Sequence, residues 1–277
     1  MKRYIDIPGG WDEIDGDDWR EALLVRDYAT SHPRRAWTAD DVRRETVRRW
    51  LSRRGMKIDT RDEEQLQLVD ALARTLGWLW PDDERGLLLV FRTTRQLMPM
   101  VRDWHGPSSH GEDVCFGEFR QGMLHLRAWE RDRNETALCA LAGLLWRPAD
   151  GDRRQPYDAD GLDAQIRRGQ QMTHWQRWAA YAWLAYFAEY LATGTFVIDG
   201  EEVTFEPLFG RKEPGGESPG TGAGGGGGLL RVALTLAEGG TFGTLMETEH
   251  APLLTVMLKL LMDYQTMQRM KKVGSKK

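Results

Sequence analysis

The 277-residue chain is 41% hydrophobic and 29% charged with a formal net charge of -4, which suits a globular protein with a real core and excludes a wholly basic nucleic-acid coat. Its two cysteines, Cys115 and Cys139, form neither a CxxC pair nor a zinc-ribbon spacing, and the chain reads as cytoplasmic and reduced. The opening MKRYIDIPGGWDEIDGDDW lacks an apolar signal region.

In chain order, Tyr4, Ile5 and Ile7 predict a short starting strand ended by Pro8-Gly9-Gly10. Asp15, Asp17 and Asp18 supply a cap and dipole partners for a helix from about Trp19 to Tyr28. TADD, Thr38 to Asp41, has the form of a capping box and opens a second helix, ended by Gly55. A third helix, about Asp62 to Leu79, carries Leu66, Val69, Leu72, Ala73, Leu76 and Leu79 at helical spacing. GLLLVFRTT, 86–94, is a short apolar run predicted as a strand, and RDWHGPSSHGED, 102–113, a loop. VCFGEFRQGMLHLRAWERD and NETALCALAGLLW predict two helices, with Asn134 capping the second. After a polar loop and a short helix comes an aromatic helix, about Trp175 to Thr193. Its apolar stretch is shorter than the ~20 residues of a membrane span, and Glu189 interrupts it, so it is expected to be buried. A hairpin near 195–206 turns on Asp199-Gly200 as a type I′ turn.

From Gly210 to Gly228 ten of nineteen residues are glycine, which predicts a coil spanning about 25 Å. Beyond it lie Leu229 to Glu238, a Gly239-Gly240 break and a long helix from about Pro252 to Met270. The expected organisation is therefore a mainly α-helical protein with small β-hairpin elements. A body spans 1–209, a flexible linker 210–228, and a helical C-terminal segment 229–277.

No motif carries enzyme chemistry. Gly220, Gly222 and Gly225 satisfy GxGxxG only because glycine is so dense there, with Pro214 and Pro219 where a strand is needed. His105, His110, Cys115 and His125 lie close in sequence, but their spacing matches no closed zinc module, so no metal or cofactor is expected. No nucleophile has an identifiable base and no carboxylate pair has a cleft. The helix at 42–54 carries Arg43, Arg44, Arg48, Arg49, Arg53 and Arg54, which admits two readings. It lies along a nucleic-acid backbone, or it is a solvated face neutralised by Glu45 and the acidic runs 15–18 and 59–64.

The C-terminal helix is the strongest functional feature. Leu253, Val256, Met257, Leu260, Leu261, Tyr264 and Met267 crowd most of its surface, leaving a narrow polar stripe at Lys259, Asp263 and Thr266. Methionine-rich apolar helices suit adaptable binding of apolar partners. The alternative is that this face docks on the body as core.

Two blocks of the chain carry a resemblance. One runs from LLLVFRTTRQLMPMVRDWHGPSSHGEDVCFGEFRQGMLHLRAW to ETALCALAGLLWRP. The other runs from YLATGTFVIDGEEVTFEPLFG through the glycine-rich spacer to LLRVALTLAEGGTFGTLMETEHAPLLTVMLKLLMDYQTMQ. With the opening IDIPGGWDEI, this order resembles proteins of tailed phages and prophages of Bacteroides-type bacteria, some of which look like tail assembly chaperones. The resemblance implies a helical, non-enzymatic binder of a tail tape-measure or tail-tube protein, with self-association as a further mode and no membrane contact. A structural virion component and a nucleic-acid-associated protein using the arginine helix are the alternatives.

Overall fold

The computed structural model describes residues 6–32, 37–82, 89–151, 153–158, 160–209 and 226–274. The chain is mainly helical with minor antiparallel sheet, as expected from the sequence. It divides into two compact units, 1–93 with 173–179, and 94–172 with 180–277.

The first unit is built on three helices, α1 (Gly16–Ser31), α2 (Ala39–Arg53) and α3 (Glu63–Arg74). Each begins where a side chain satisfies a free backbone donor. Asp15 accepts from the Asp18 N–H at 2.7 Å, Thr38 and Asp41 form the reciprocal capping box, and Asp62 accepts from the Gln65 N–H. Gly55, at φ +83°, closes α2. The Gly55 N–H donates to the Ser52 carbonyl and the Met56 N–H to the Leu51 carbonyl, both at 2.9 Å. The third helix ends at Arg74, short of the expected Leu79, and a 3₁₀ turn over Thr75–Trp78 follows. Tryptophans fill the core. Trp11 meets Trp19, Trp78 and Phe91 edge to face at 5.1–5.7 Å. Trp50 and Trp80 are fully buried, and their indole N–H groups donate to the Asp18 carbonyl and the Thr46 hydroxyl.

Two expected strands are corrected or lie outside view. Residues 89–94 carry no strand, and 86–88 fall outside the described residues. Leu89 and Phe91 are buried and the Val90 N–H donates to the Leu79 carbonyl at 3.0 Å, so this apolar run is core loop. Residues 6–9 carry no strand either, and Tyr4 and Ile5 lie outside the described residues.

In the second unit α4 (Phe116–Asp132) and α5 (Glu135–Leu145) form a helical hairpin, with Asn134 capping α5. Every residue of α5 from Ala137 to Leu145 is buried. A short helix, α6 (Leu162–Gln170), crosses it at backbone contact. A Cβ on Gly143 would overlap the Gln165 carbonyl, and one on Gly169 the Cys139 carbonyl. The expected loop 102–113 contains one strand of a small antiparallel sheet, β1 (Met100–Val101), β2 (Trp104–His105), β3 (Arg147–Asp150) and β4 (Arg153–Arg154), paired in that order. The aromatic helix α7 (His174–Thr193) leads into the hairpin β5 (Thr195–Ile198) and β6 (Glu201–Thr204). Positive φ at both Asp199 and Gly200 gives the type I′ turn, and Phe196 pairs with Val203 in the predicted register.

Four helices complete this unit: α8 (Glu206–Phe209), α9 (Gly226–Glu238), α10 (Leu245–His250) and α11 (Leu253–Gly274). Helix α9 begins at Gly226, so the last three residues of the expected linker are helical; 210–225 lie outside the described residues. The described helices of the C-terminal segment pack with α4 and α8 and cluster with 94–172, the docking that the sequence left open.

Candidate partner-binding surface

The C-terminal helix is anchored at its base by the backbone. Cys115 and Pro252 form an antiparallel bridge, in which the Phe116 N–H donates to the Ala251 carbonyl at 3.0 Å and the Leu253 N–H to the Val114 carbonyl at 2.9 Å. Side chains add to this. Glu249 on α10 pairs with Arg120 on α4 and accepts from the Tyr157 hydroxyl at 2.8 Å. His250 hydrogen-bonds the Met246 carbonyl at 2.8 Å and Asp158 at 2.9 Å. Gly117 is required here, because a Cβ would run into the Tyr157 hydroxyl and the Glu249 side chain.

Beneath this anchor lies a charge network that no local sequence pattern foretells. Glu118, in the first turn of α4, is wholly buried. Its carboxylate accepts from Arg154 at 2.8 Å and from Arg147 at 3.2 Å, and Arg154 also donates to Asp113 at 2.8 Å and to the Leu145 carbonyl at 2.7 Å. Asp113 accepts from the Ser108 N–H at 2.7 Å and its hydroxyl at 2.9 Å. Burial pushes the Asp113 carboxyl up, but the Arg154 charge and the Ser108 donors outweigh it and hold the carboxyl below its ordinary value. Burial, with the Glu118 charge, pushes the Cys115 thiol up to about 12, so it is no nucleophile near neutral pH. Burial pushes Arg147 down, whereas Glu118 and Asp113 overcome the same penalty at Arg154 and hold it up. Two arginines face two carboxylates, so the network is balanced and ties β3 and β4 to α4. The only sequence hint was one glutamate among the apolar residues that open α4.

The seven residues expected to bind a partner separate along α11. Leu253 and Val256 are 0% exposed, and Met257 and Leu261 are also buried, so these four form core in this unit. Leu260 and Tyr264 are half-buried, and Met267 is exposed. From Met262 onward only Tyr264 and Gln268 are partly covered among the described residues. Met262, Met270 and Val273 are 63%, 69% and 68% exposed. Met262 and Met270 are not among the seven residues expected to bind a partner. They lie away from the periodic stripe that the docked base follows.

The arginines of α2 are largely ion-paired within the first unit. Arg43 is buried, donates to the Trp80 carbonyl and pairs with Asp82 at 2.8 Å. Arg44 pairs with Asp70 at 2.7 Å, and Arg49 with Glu45 at 3.0 Å and Glu21 at 3.4 Å. Arg53 and Arg54 converge on the buried Asp18, with Arg53 also on Asp15 and Asp17. Arg48 is half-buried, with its Nε enclosed and unpartnered. Five of its six cations are thus engaged within the unit.

The histidines expected to stay apart from metal chemistry sit in separate settings. His105 is in β2, the His110 Nδ1 hydrogen-bonds the Thr94 hydroxyl at 2.7 Å, and burial lowers the basicity of His125. Among the described residues no group of three or more His, Cys, Asp or Glu side chains is placed to hold a metal ion, and no helix is long and apolar enough to cross a membrane. A groove of about 340 Å³ beside α2 is lined by Trp37, Asp41, Arg44, Glu45, Arg48 and Asp70 among others, and is predominantly polar. No protein family, curated protein or solved structure matches the chain.

Proposed function

We propose that this protein is a non-enzymatic helical binder that holds a partner protein on the exposed distal half of α11. In the particular form implied by the resemblance it is a tail assembly chaperone for a tape-measure or tail-tube protein in the host cytoplasm. The carrying observation is a helix firmly anchored at its base that continues as Met262, Met267, Met270 and Val273 in open solvent. Isolated large apolar residues on a surface are ordinary, but four within twelve residues of one helix are a patch. Thioether side chains adapt to varied apolar partners and permit release, which a factor that must later leave its client needs.

The test is deletion of 262–277, which removes the exposed half and leaves the anchored base. The intact chain is expected to be absent from purified particles, and the shortened chain is expected to fold and to lose rescue of client solubility on co-expression with the tape-measure protein. Rescue equal to that of the intact chain sinks the reading, and presence of the intact chain in purified particles turns it toward a virion component.

A further inference from the structure

The distal half of α11 has a charge as well as an apolar surface. No aspartate or glutamate follows Asp263 in the sequence, whereas Arg269 and Lys271 lie on the last described turns, in a chain whose net charge is -4. Asp263 is itself engaged by Lys259 at 2.5 Å. We propose that the partner segment seated on Met262–Val273 is an acidic amphipathic helix of another protein; the inference rests on the function proposed above and names the chemistry of its client.

Charge complementarity selects an acidic partner, since a basic one would bring like charges together on desolvated apolar surface. The distribution of the apolar groups selects a partner with apolar surface rather than a nucleic acid. At about 100° per residue Met262, Val273 and Met270 fall within roughly 80° of one another, while Met267 lies about 140° from Met262 on the line that the docked base follows. All four fall within an arc of about 140°, on one side of the helix. Phosphates would engage Arg269 and Lys271 and leave the methionines exposed. A protein helix packing along this side covers both lines and places carboxylates against the basic end.

The experiment uses the full chain and two labelled peptides of about 21 residues, each with leucine at helical a and d positions, one with glutamate elsewhere and one with lysine. Fluorescence anisotropy is expected to show saturable binding of the glutamate peptide, at least about tenfold tighter than the lysine peptide at about 50 mM salt, with the preference shrinking at about 500 mM. Met262→Asp with Met270→Asp should weaken binding about tenfold, and Arg269→Glu with Lys271→Glu should abolish the preference, each with unchanged circular dichroism. Val273→Asp, in the last described turn, provides a second variant with little risk to folding. Equal or tighter binding of the lysine peptide overturns the proposal, as does failure of the glutamate peptide to saturate. Tighter binding to phosphatidylserine vesicles or to a DNA duplex overturns it in favour of those partners. If the glutamate peptide fails while client rescue still depends on 262–277, the acidic preference falls and α11 remains the binding element.

Discussion

The two halves of α11 both carry large apolar side chains, and those side chains have opposite fates. Leu253, Val256, Met257 and Leu261 are buried against the unit, whereas Met262, Met267, Met270 and Val273 stand in solvent. Nothing in the side-chain chemistry separates a buried Met257 from an exposed Met262. What separates them is the side of the helix, since Met262 lies about 140° around the axis from Met257, and beyond Leu261 even the docked line is at most partly covered. The proximal half makes stability, and the distal half makes surface. The difference also explains why removing 229–277 as a whole would be a poor test of binding, since it would remove the core contribution of α9 to α11 together with the surface.

The largest effect expected from breaking this comparison is in the proximal half. Val256→Asp places an unpaired charge in a site with no exposure and should cost about 3–5 kcal/mol, measured by chemical denaturation. A cost under about 1 kcal/mol would mean that α11 does not dock as described. Next comes the clamp on α10. Arg120→Met leaves Glu249 with the Tyr157 hydroxyl alone and should cost about 1–2 kcal/mol, because both partners are largely covered.

A smaller effect depends on pH. The Met246 carbonyl, followed by Asp158, holds the His250 pKa above its ordinary value. A raised folded pKa contributes stability that is fully present below the unfolded value of about 6.5 and is lost as pH rises through the folded value. His250→Gln should therefore destabilise the protein more near pH 5.5 than near pH 8.5. The side chains of this pair are more than a third exposed, so solvent screening limits the difference to about 0.5 kcal/mol. Equal destabilisation at the two pH values would show that the imidazolium plays no part in the clamp. The smallest effect sharpens the comparison from the other side. Met262→Asp with Met270→Asp should change the unfolding free energy by no more than about 0.5 kcal/mol, while weakening partner binding. A loss of several kcal/mol would show that the distal half is core as well.

Local chemistry was enough for much of this fold. Thr38 with Asp41, Asn134, Gly55 and Asp199-Gly200 each satisfy or shape backbone within a few residues, so their caps and turns are legible from adjacent letters. Helical periodicity likewise identified α3 and α11 as helices. Three things required the tertiary structure. The apolar run at 89–94 has the composition of a strand, yet it is core loop, because burial of Leu89 and Phe91 requires no sheet partner. The network of Asp113, Glu118, Arg147 and Arg154 joins residues as many as 41 positions apart, and the energy of burying Glu118 depends on both arginines arriving together. Finally, periodicity marked an apolar face along the whole of α11 but carried no information on where the docking surface would end. That boundary near Leu261 is set by the extent of α4 and α8, with the strand-like bridge at Cys115 and Pro252 fixing where the helix begins. A sequence specifies which side of a helix is apolar; how much of that side is covered is decided by the elements that meet it.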